Sequence, residues 1–436
     1  MSAFAKFLRW ILRLALFAFF RRKKVVGQPP EGGVIYILNH PNGLIDPLFI
    51  LTSAPPGVTF MAKEPLFRMP IVGRMVKAFG CLPIYRAVDG ADTKDNKKTL
   101  DAADAHLKAG GSIAIFPEGT SHSDTELKPM RTGAARIALS ANTGSANVPI
   151  VPVGLHYTEK NTFRSDVVIR FGAPMEIEKL TLKPEEPIPR PEVRALTERI
   201  DAALRDVTVN GKTEEEILFA KNASTVFEQS RALDAIIDKQ QAFIKARQQL
   251  PPADKQKLTQ DVGRLADVMN RIGMDGSSSQ KSPVPLIGLA PIFAVLLGPI
   301  GLLAMAIHAP AYQLIRLISQ NKRSPFREAD QLASMKLFCG LFLFPITWTL
   351  LGLFVARFTT PWIGLVVGLL GPLWGYLAMR YHEIIEGLSA DATLTYVILS
   401  KPRRLARIQA ARARLSGVLE PLLLQESSTS PVLPTQ

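Results

Sequence analysis

Residues 33–46 read GVIYILNHPNGLID, a short apolar run, then a histidine, then a carboxylate six residues further on. The run is rich in isoleucine and valine and is bounded by glycine and asparagine, which is the pattern of a buried strand ending at Asn39-His40. Four more runs share that pattern: GCLPIYR at 80–86, SIAIFPEG at 112–119, VPIVPVGLHY at 148–157 and VVIRFG at 167–172. Between them, residues 92–109 and 133–140 carry helical periodicity. This alternation predicts an α/β layered domain with a largely parallel sheet over residues 25–213. The chemistry is expected in the loops at its strand ends.

Those loops hold His40 with Asp46 six residues later, Arg86 on the second run, and a Glu118-Gly119 turn closing the third. The set suits acyl transfer to an alcohol. An alcohol is a poor nucleophile near neutral pH and needs a base, which an imidazole supplies. A carboxylate accepting the other ring N–H fixes the tautomer and stabilises the imidazolium. The chain contains no G-x-S-x-G elbow, and no cysteine lies in a comparable loop. The simplest inference is direct attack by the substrate hydroxyl. A guanidinium at Arg86 would clamp a phosphate bidentately. Backbone N–H groups near Gly119, or at the start of a helix after His40, would hold the oxyanion. Tyr85 reads as a packing residue, and His122 and His156 as structural or surface positions.

With four motifs in order, at 39–46, 80–86, 116–121 and 148–153, the chain resembles the glycerophospholipid acyltransferase superfamily over residues 30–180. That resemblance implies that His40 and Asp46 are the catalytic pair. It implies that Gly80, Arg86, Glu118 and Gly119, with Thr120 and Arg164 beside them, bind a glycerol phosphate. Val151 and Pro152 would lie on the acyl side. The co-substrate would be acyl-CoA or acyl-ACP, with no other cofactor. Two departures point to the fungal-type glycerol-3-phosphate and dihydroxyacetone-phosphate acyltransferase branch, as does the Phe163-Arg164-Ser165 stretch. Five residues rather than four separate His40 from Asp46, and Ser121-His122 follows Thr120 where an arginine is usual. The missing arginine leaves Arg131, Arg164 or Lys128 to complete the phosphate site. The implied reaction is acylation of the sn-1 hydroxyl, with lysophosphatidate acylation as the alternative. From a different class, a catalytically dead membrane scaffold has no chemical reason to keep His40, Asp46, Arg86 and Glu118 together.

The rest of the chain speaks for a membrane. Its 436 residues are 47% hydrophobic and carry a formal charge of +14. The basic runs flank apolar segments and no nucleic-acid-binding signature is present, so the expected partner is a lipid surface rather than DNA or RNA. Two cysteines exclude a disulfide scaffold or a cysteine-rich zinc site, and the six histidines show no i, i+4 pair, so no metal is expected. Residues 1–24 read as an interfacial helix. Lys6, Arg9 and Arg13 form a stripe toward headgroups, Phe4, Phe7, Leu8, Ile11, Leu12 and Phe19 sink into the interface, and Arg21 to Lys24 anchor the end. Residues 214–282 read as a charged helical linker. Residues 283–385 read as a membrane region with a re-entrant hairpin over 283–315 and a transmembrane hairpin over 337–379. Residues 386–436 read as a basic helix and a disordered tail. By the positive-inside rule, the cations near 316–336 and 401–407 place the active site on the cytoplasmic face.

Overall fold

In a computed structural model, residues 2–55, 57–85, 96–143, 147–180, 186–228, 230, 232–275, 289–321 and 328–429 are described. The chain divides into two units, residues 1–209 with 325–337, and residues 210–324 with 338–436.

The first unit is built on seven strands: β1 (Phe20–Val26), β2 (Ile35–Leu38), β3 (Val58–Lys63), β4 (Leu82–Ile84), β5 (Ser112–Ile115), β6 (Ile150–Tyr157) and β7 (Ser165–Phe171). They form one sheet in the order β1-β7-β6-β2-β5-β3-β4. Every pair is parallel except β6 with β7. The side-chain period of two divides the core between the faces. Tyr36, Leu38, Phe60, Ala114, Val151, Val153 and Ile169 point to one face. That face is covered by α1 (Ala3–Phe19) and α2 (Ile45–Ser53). Ile35, Ile37, Ile113, Ile115 and Ile150 point to the other. There α4 (Asn96–Lys108), α5 (Gly133–Ala141) and α6 (Arg190–Asp206) cover them; α3 (Val72–Ala78) precedes β4. Burial on both faces is why the strands read as continuous apolar runs.

Two strands escaped the sequence reading. β3 begins in a polar, proline-flanked stretch. β1 holds Arg21 to Lys24, taken as the end of the membrane anchor, but these residues pair in parallel with β7, Val25 opposite Ile169. A run of cations suits an edge strand, where charge discourages further pairing. Arg21 and Arg22 both reach the buried carboxylate of Asp166 on β7, at 3.3 and 2.6 Å.

Helix α1 also differs from the expectation. At 17 residues it is short for a crossing. Ala5, Leu12, Leu16 and Phe19 are buried in the sheet-face core. Arg9 and Arg13 turn inward on the same side, donating to the carbonyls of Ala54 (2.9 Å) and Thr52 (3.0 Å) at the end of α2. Cations satisfy the orphan carbonyls and the negative end of that helix. The exposed surface of α1 carries Phe4, Phe7, Trp10, Leu14 and Phe17 together with Lys6 and Arg13.

In the second unit, the stretch read as a linker is a packed bundle of α7 (Glu214–Phe227), α8 (Leu233–Gln248) and α9 (Pro252–Arg271), joined by α15 (Pro402–Thr429). Phe219, Ala223, Phe243, Val262, Ala266 and Met269 are buried in it. Arg247 is buried too, paired with Glu215 at 2.7 Å and lying over the Phe219 ring. Its charged surface hid a narrow apolar stripe.

Among the described residues, two helices are long and apolar enough to cross a membrane: α11 (Gly298–Gln320) and α12 (Leu332–Phe358). A third span is formed if α13 (Pro361–Leu369) and α14 (Gly371–Ser400), bent by 48° between them, act together. Of the stretch expected to be a re-entrant hairpin, residues 289–315 are described, and there α10 (Leu289–Leu296) and α11 are separated by a break at Leu297. Pro299 sits in the first turn of α11, where its missing N–H costs nothing, so it starts a helix rather than ending one. Helix α11 then runs on beside α14 in the opposite sense, Gly301 against Tyr381 and His308 against Gly375. Small residues permit such close approach between apolar helices. The tail beyond Thr429 lies outside the described residues.

Candidate active site

Strands β6, β2 and β5 lie side by side in parallel, and their C-terminal ends bring Tyr157, His40 and Glu118 to one edge of the sheet. Loops beyond the carboxyl ends of such strands are where α/β sheets hold ligands.

Asp46, in the first turn of α2, is fully buried. Its Oδ2 lies 2.9 Å from His40 Nδ1 and accepts the Asn42 N–H at 2.7 Å. Its Oδ1 accepts the Tyr157 hydroxyl at 2.6 Å. Burial, and then the neighbouring Asp46 charge, push the Tyr157 phenol well above its ordinary range, so its hydroxyl remains a donor. With a carboxylate at Nδ1, the proton of a neutral His40 ring resides there and Nε2 is left with its lone pair. The ring stacks on Phe116, centroids 3.9 Å apart and planes 16° from parallel.

Glu118 is 2% exposed, with both carboxylate oxygens engaged inside the protein. Oε1 accepts the His40 N–H at 3.1 Å; Oε2 accepts the Lys128 N–H at 2.8 Å and contacts His122 Nε2. His122 returns to the loop by donating its own N–H to the His40 carbonyl at 3.1 Å. The glutamate read as a substrate ligand is thus a buried strut between the His40 loop and residues 122–128. His122, read as structural, is part of that strut.

Gly119 has φ +75°, and a Cβ there would lie 2.5 Å from Arg131 Nε. The Arg131 side chain therefore crosses the Glu118-Gly119 turn, a close approach that only glycine allows. Arg131 is exposed, and its guanidinium has no hydrogen bond or ion pair among the described residues. The other candidate cations are engaged. Arg164 Nη1 holds the Phe17, Ala18 and Phe20 carbonyls at the end of α1, with its backbone at φ +64°. Lys128 pairs with Asp124 at 3.4 Å.

The structure brings His40, Asp46, Glu118 and Gly119 together, with Thr120 exposed beside them. It does not bring Gly80 there. That residue precedes β4, near the start of β3, where Thr59 Oγ1 donates to its carbonyl at 2.9 Å. It lines a recess with Arg9, Leu51 and Phe79 at the opposite end of the strands. Val151 and Pro152 pair with Tyr36 and Ile37 inside the sheet and are covered. Arg86 lies outside the described residues. Tyr157, Asn42 and Lys160 were missed. Lys160 Nζ donates to the Pro41 carbonyl at 3.0 Å and to Ser123 Oγ at 2.6 Å. No local pattern marks them: Tyr157 meets Asp46 across 111 residues, Lys160 meets Pro41 across 119, and Asn42 holds Asp46 through its backbone N–H, which any residue carries.

The family model for Acyltransferase matches residues 22–156, which include His40, Asp46 and the Glu118-Gly119 turn. Residues 22–156 are thus similar to acyltransferase domains. Over 300 residues, the chain is 27% identical to glycerol-3-phosphate O-acyltransferase 2 of Saccharomyces cerevisiae, covering 61% of this chain and 39% of that protein. Over 126 residues, it is 32% identical to the chloroplastic 1-acyl-sn-glycerol-3-phosphate acyltransferase BAT2 of Brassica napus, covering 29% of this chain and 33% of that protein. The chain thus spans less than half the length of either relative. The chain is also similar to the crystal structure of the 1-acyl-sn-glycerophosphate acyltransferase from Thermotoga maritima, at 22% identity and a TM-score of 0.34, covering 47% of this chain and 79% of that one.

Proposed function

We propose that the chain is a membrane-bound O-acyltransferase that moves a fatty acyl group from acyl-CoA or acyl-ACP to the sn-1 hydroxyl of glycerol 3-phosphate or dihydroxyacetone phosphate, at the cytoplasmic face. The observation that carries this reading is the buried Asp46 carboxylate on His40 Nδ1, which leaves Nε2 free to act as a base. His40 Nε2 takes the proton of the acceptor hydroxyl as its oxygen attacks the thioester carbonyl. Asp46 stabilises the imidazolium so formed. The Thr120 and Ser121 N–H groups, which have no acceptor among the described residues, would receive the oxyanion. As the tetrahedral intermediate collapses, the C–S bond breaks and His40 returns its proton to the leaving thiolate. Arg131 grips the acceptor's phosphate with paired N–H donors.

The yeast glycerol-3-phosphate relative matches a longer stretch than the plastid one, which favours the first acylation over the second. The test is an acylation assay of the purified chain with glycerol 3-phosphate, dihydroxyacetone phosphate and lysophosphatidate side by side. Turnover on either of the first two should exceed that on lysophosphatidate. Arg131→Ala should raise KM for the phosphorylated acceptor by about 10- to 100-fold, the worth of a hydrogen bond to a charged group, and leave the thioester KM unchanged. A faster reaction with lysophosphatidate would move the assignment to the second acylation. No turnover on any acceptor would end it.

A further inference from the structure

The His40–Asp46 loop is pressed from outside its own domain sequence, by residues 328–337. Ala333 and Leu337, in the first turns of α12, are buried in the same core as α1 and α2. Ser334 Oγ accepts the Leu44 N–H at 3.0 Å, across 290 residues of sequence. Leu44 is the N-cap of α2 and provides no side-chain cap of its own. A helix start leaves its first N–H groups without partners, normally answered by a local Ser, Thr, Asp or Asn. Here the answer comes from Ser334. One residue earlier, Gly43 adopts φ +33°, and a Cβ there would stand 2.7 Å from the Asp330 carbonyl oxygen and 3.3 Å from Ser334 Oγ. Asp330 is itself 5% exposed, and its charge acts on Lys160, whose ammonium holds the Pro41 carbonyl. Lys336 Nζ donates to the Asn161 carbonyl at 2.7 Å, next to Lys160. Residues 41, 43 and 44 of the catalytic loop are therefore each tied, directly or through Lys160, to this one segment.

We infer that residues 328–337 are a positioning clamp for the catalytic pair, with Ser334 Oγ capping α2 at Leu44 and the Asp330 carbonyl seating Gly43. Asp46 sits in the first turn of α2, so the clamp sets where that carboxylate meets His40 Nδ1. Gly43 lies in the five-residue spacer, and the segment that receives it is the start of a helix whose continuation, residues 338–358, is apolar enough to cross a membrane. The geometry of the base thus depends on residues lying far outside the acyltransferase match. This clamp rests on the reading of His40 as base, and its test carries a readout that needs no acceptor.

In the full-length protein, Ser334→Ala should lower kcat about 10- to 100-fold, the cost of a misplaced reacting group. Both KM values should stay within about twofold and the melting temperature should hold, because the change touches the loop and not substrate contacts. Ser334→Thr, which keeps the hydroxyl, should recover most of the rate. Gly43→Ala should show the same kcat-only loss, and the double variant should be no worse than Gly43→Ala, since both act on one contact. The downfield proton resonance of His40 Nδ1–H should broaden in Ser334→Ala and persist in Ser334→Thr. Wild-type kcat and resonance in a folded Ser334→Ala protein would overturn the clamp. So would kcat, KM and melting temperature falling together without rescue by threonine. A resonance that responds as expected, in a protein that acylates no acceptor, would leave the clamp standing and remove the proposed function instead.

Discussion

His40 can accept a proton only in the tautomer with hydrogen on Nδ1, and Asp46 imposes that tautomer because it is itself held by Asn42 and Tyr157. His40→Ala should lose about 10²- to 10³-fold in kcat, the usual contribution of a general base. Tyr157→Phe should lose less, about tenfold, because one hydrogen bond to the Asp46 carboxylate disappears while the other two remain. Steady-state kinetics on folded variants measures both, and a Tyr157→Phe loss as large as that of His40→Ala would show that the hydroxyl meets substrate directly. His40 and Asp46 were legible in the sequence because one strand end and one short loop hold both. Tyr157 was not, since its contact with Asp46 spans 111 residues. Glu118 was legible as important but not in its role, because nothing local shows that both its oxygens are taken up inside the protein.

Among the elements, β1 is the one whose placement depends most on charge. Asp166 on β7 is largely buried, which alone would raise its pKa, yet hydrogen bonds and charge from Arg22 and Arg21 hold its carboxyl below the ordinary value of 3.8. A carboxylate with a lowered folded-state pKa contributes stability above its unfolded pKa, and loses it as pH falls through the folded value. Since both arginines are about half exposed, the contribution is on the order of 1 kcal/mol. Asp166→Asn should therefore lower the melting temperature at pH 7, and the gap from wild type should close only below about pH 4. A gap that stays unchanged as pH falls well below the ordinary carboxylate range would mean the carboxylate matters for packing rather than charge. The strand itself was unreadable from Arg-Arg-Lys-Lys, because pairing with β7 is a fact of tertiary structure. Helix α1 illustrates the converse. Its amphipathic character was plain, but which side packs was decided by α2, whose terminal carbonyls hold Arg9 and Arg13 while Phe7, Trp10 and Phe17 stay exposed.

For the whole molecule, the expected placement is an acyltransferase domain at the cytoplasmic face, with α12 and the α13–α14 pair crossing and returning. In a background lacking Cys81 and Cys339, a cysteine at Thr360 should react with an impermeant maleimide added to intact cells. One at Arg404 should react only after permeabilisation. Labelling of Arg404→Cys from outside would invert the arrangement, since cations are retained on the cytoplasmic side.

What the sequence determined by itself was whatever short-range pattern can carry. Runs of buried strand residues announce a parallel sheet, uncharged stretches of 20 residues announce helices that suit lipid, and a histidine with a carboxylate six residues on announces a base. Tertiary structure decided the partners. It turned Glu118 inward as a strut, occupied Arg164 with the end of α1, left Arg131 over Gly119, and brought Ser334 to the start of α2. The physical reason is the same in each case. A buried polar group must find a hydrogen-bond partner wherever the packed chain offers one, and its distance along the sequence does not enter that requirement.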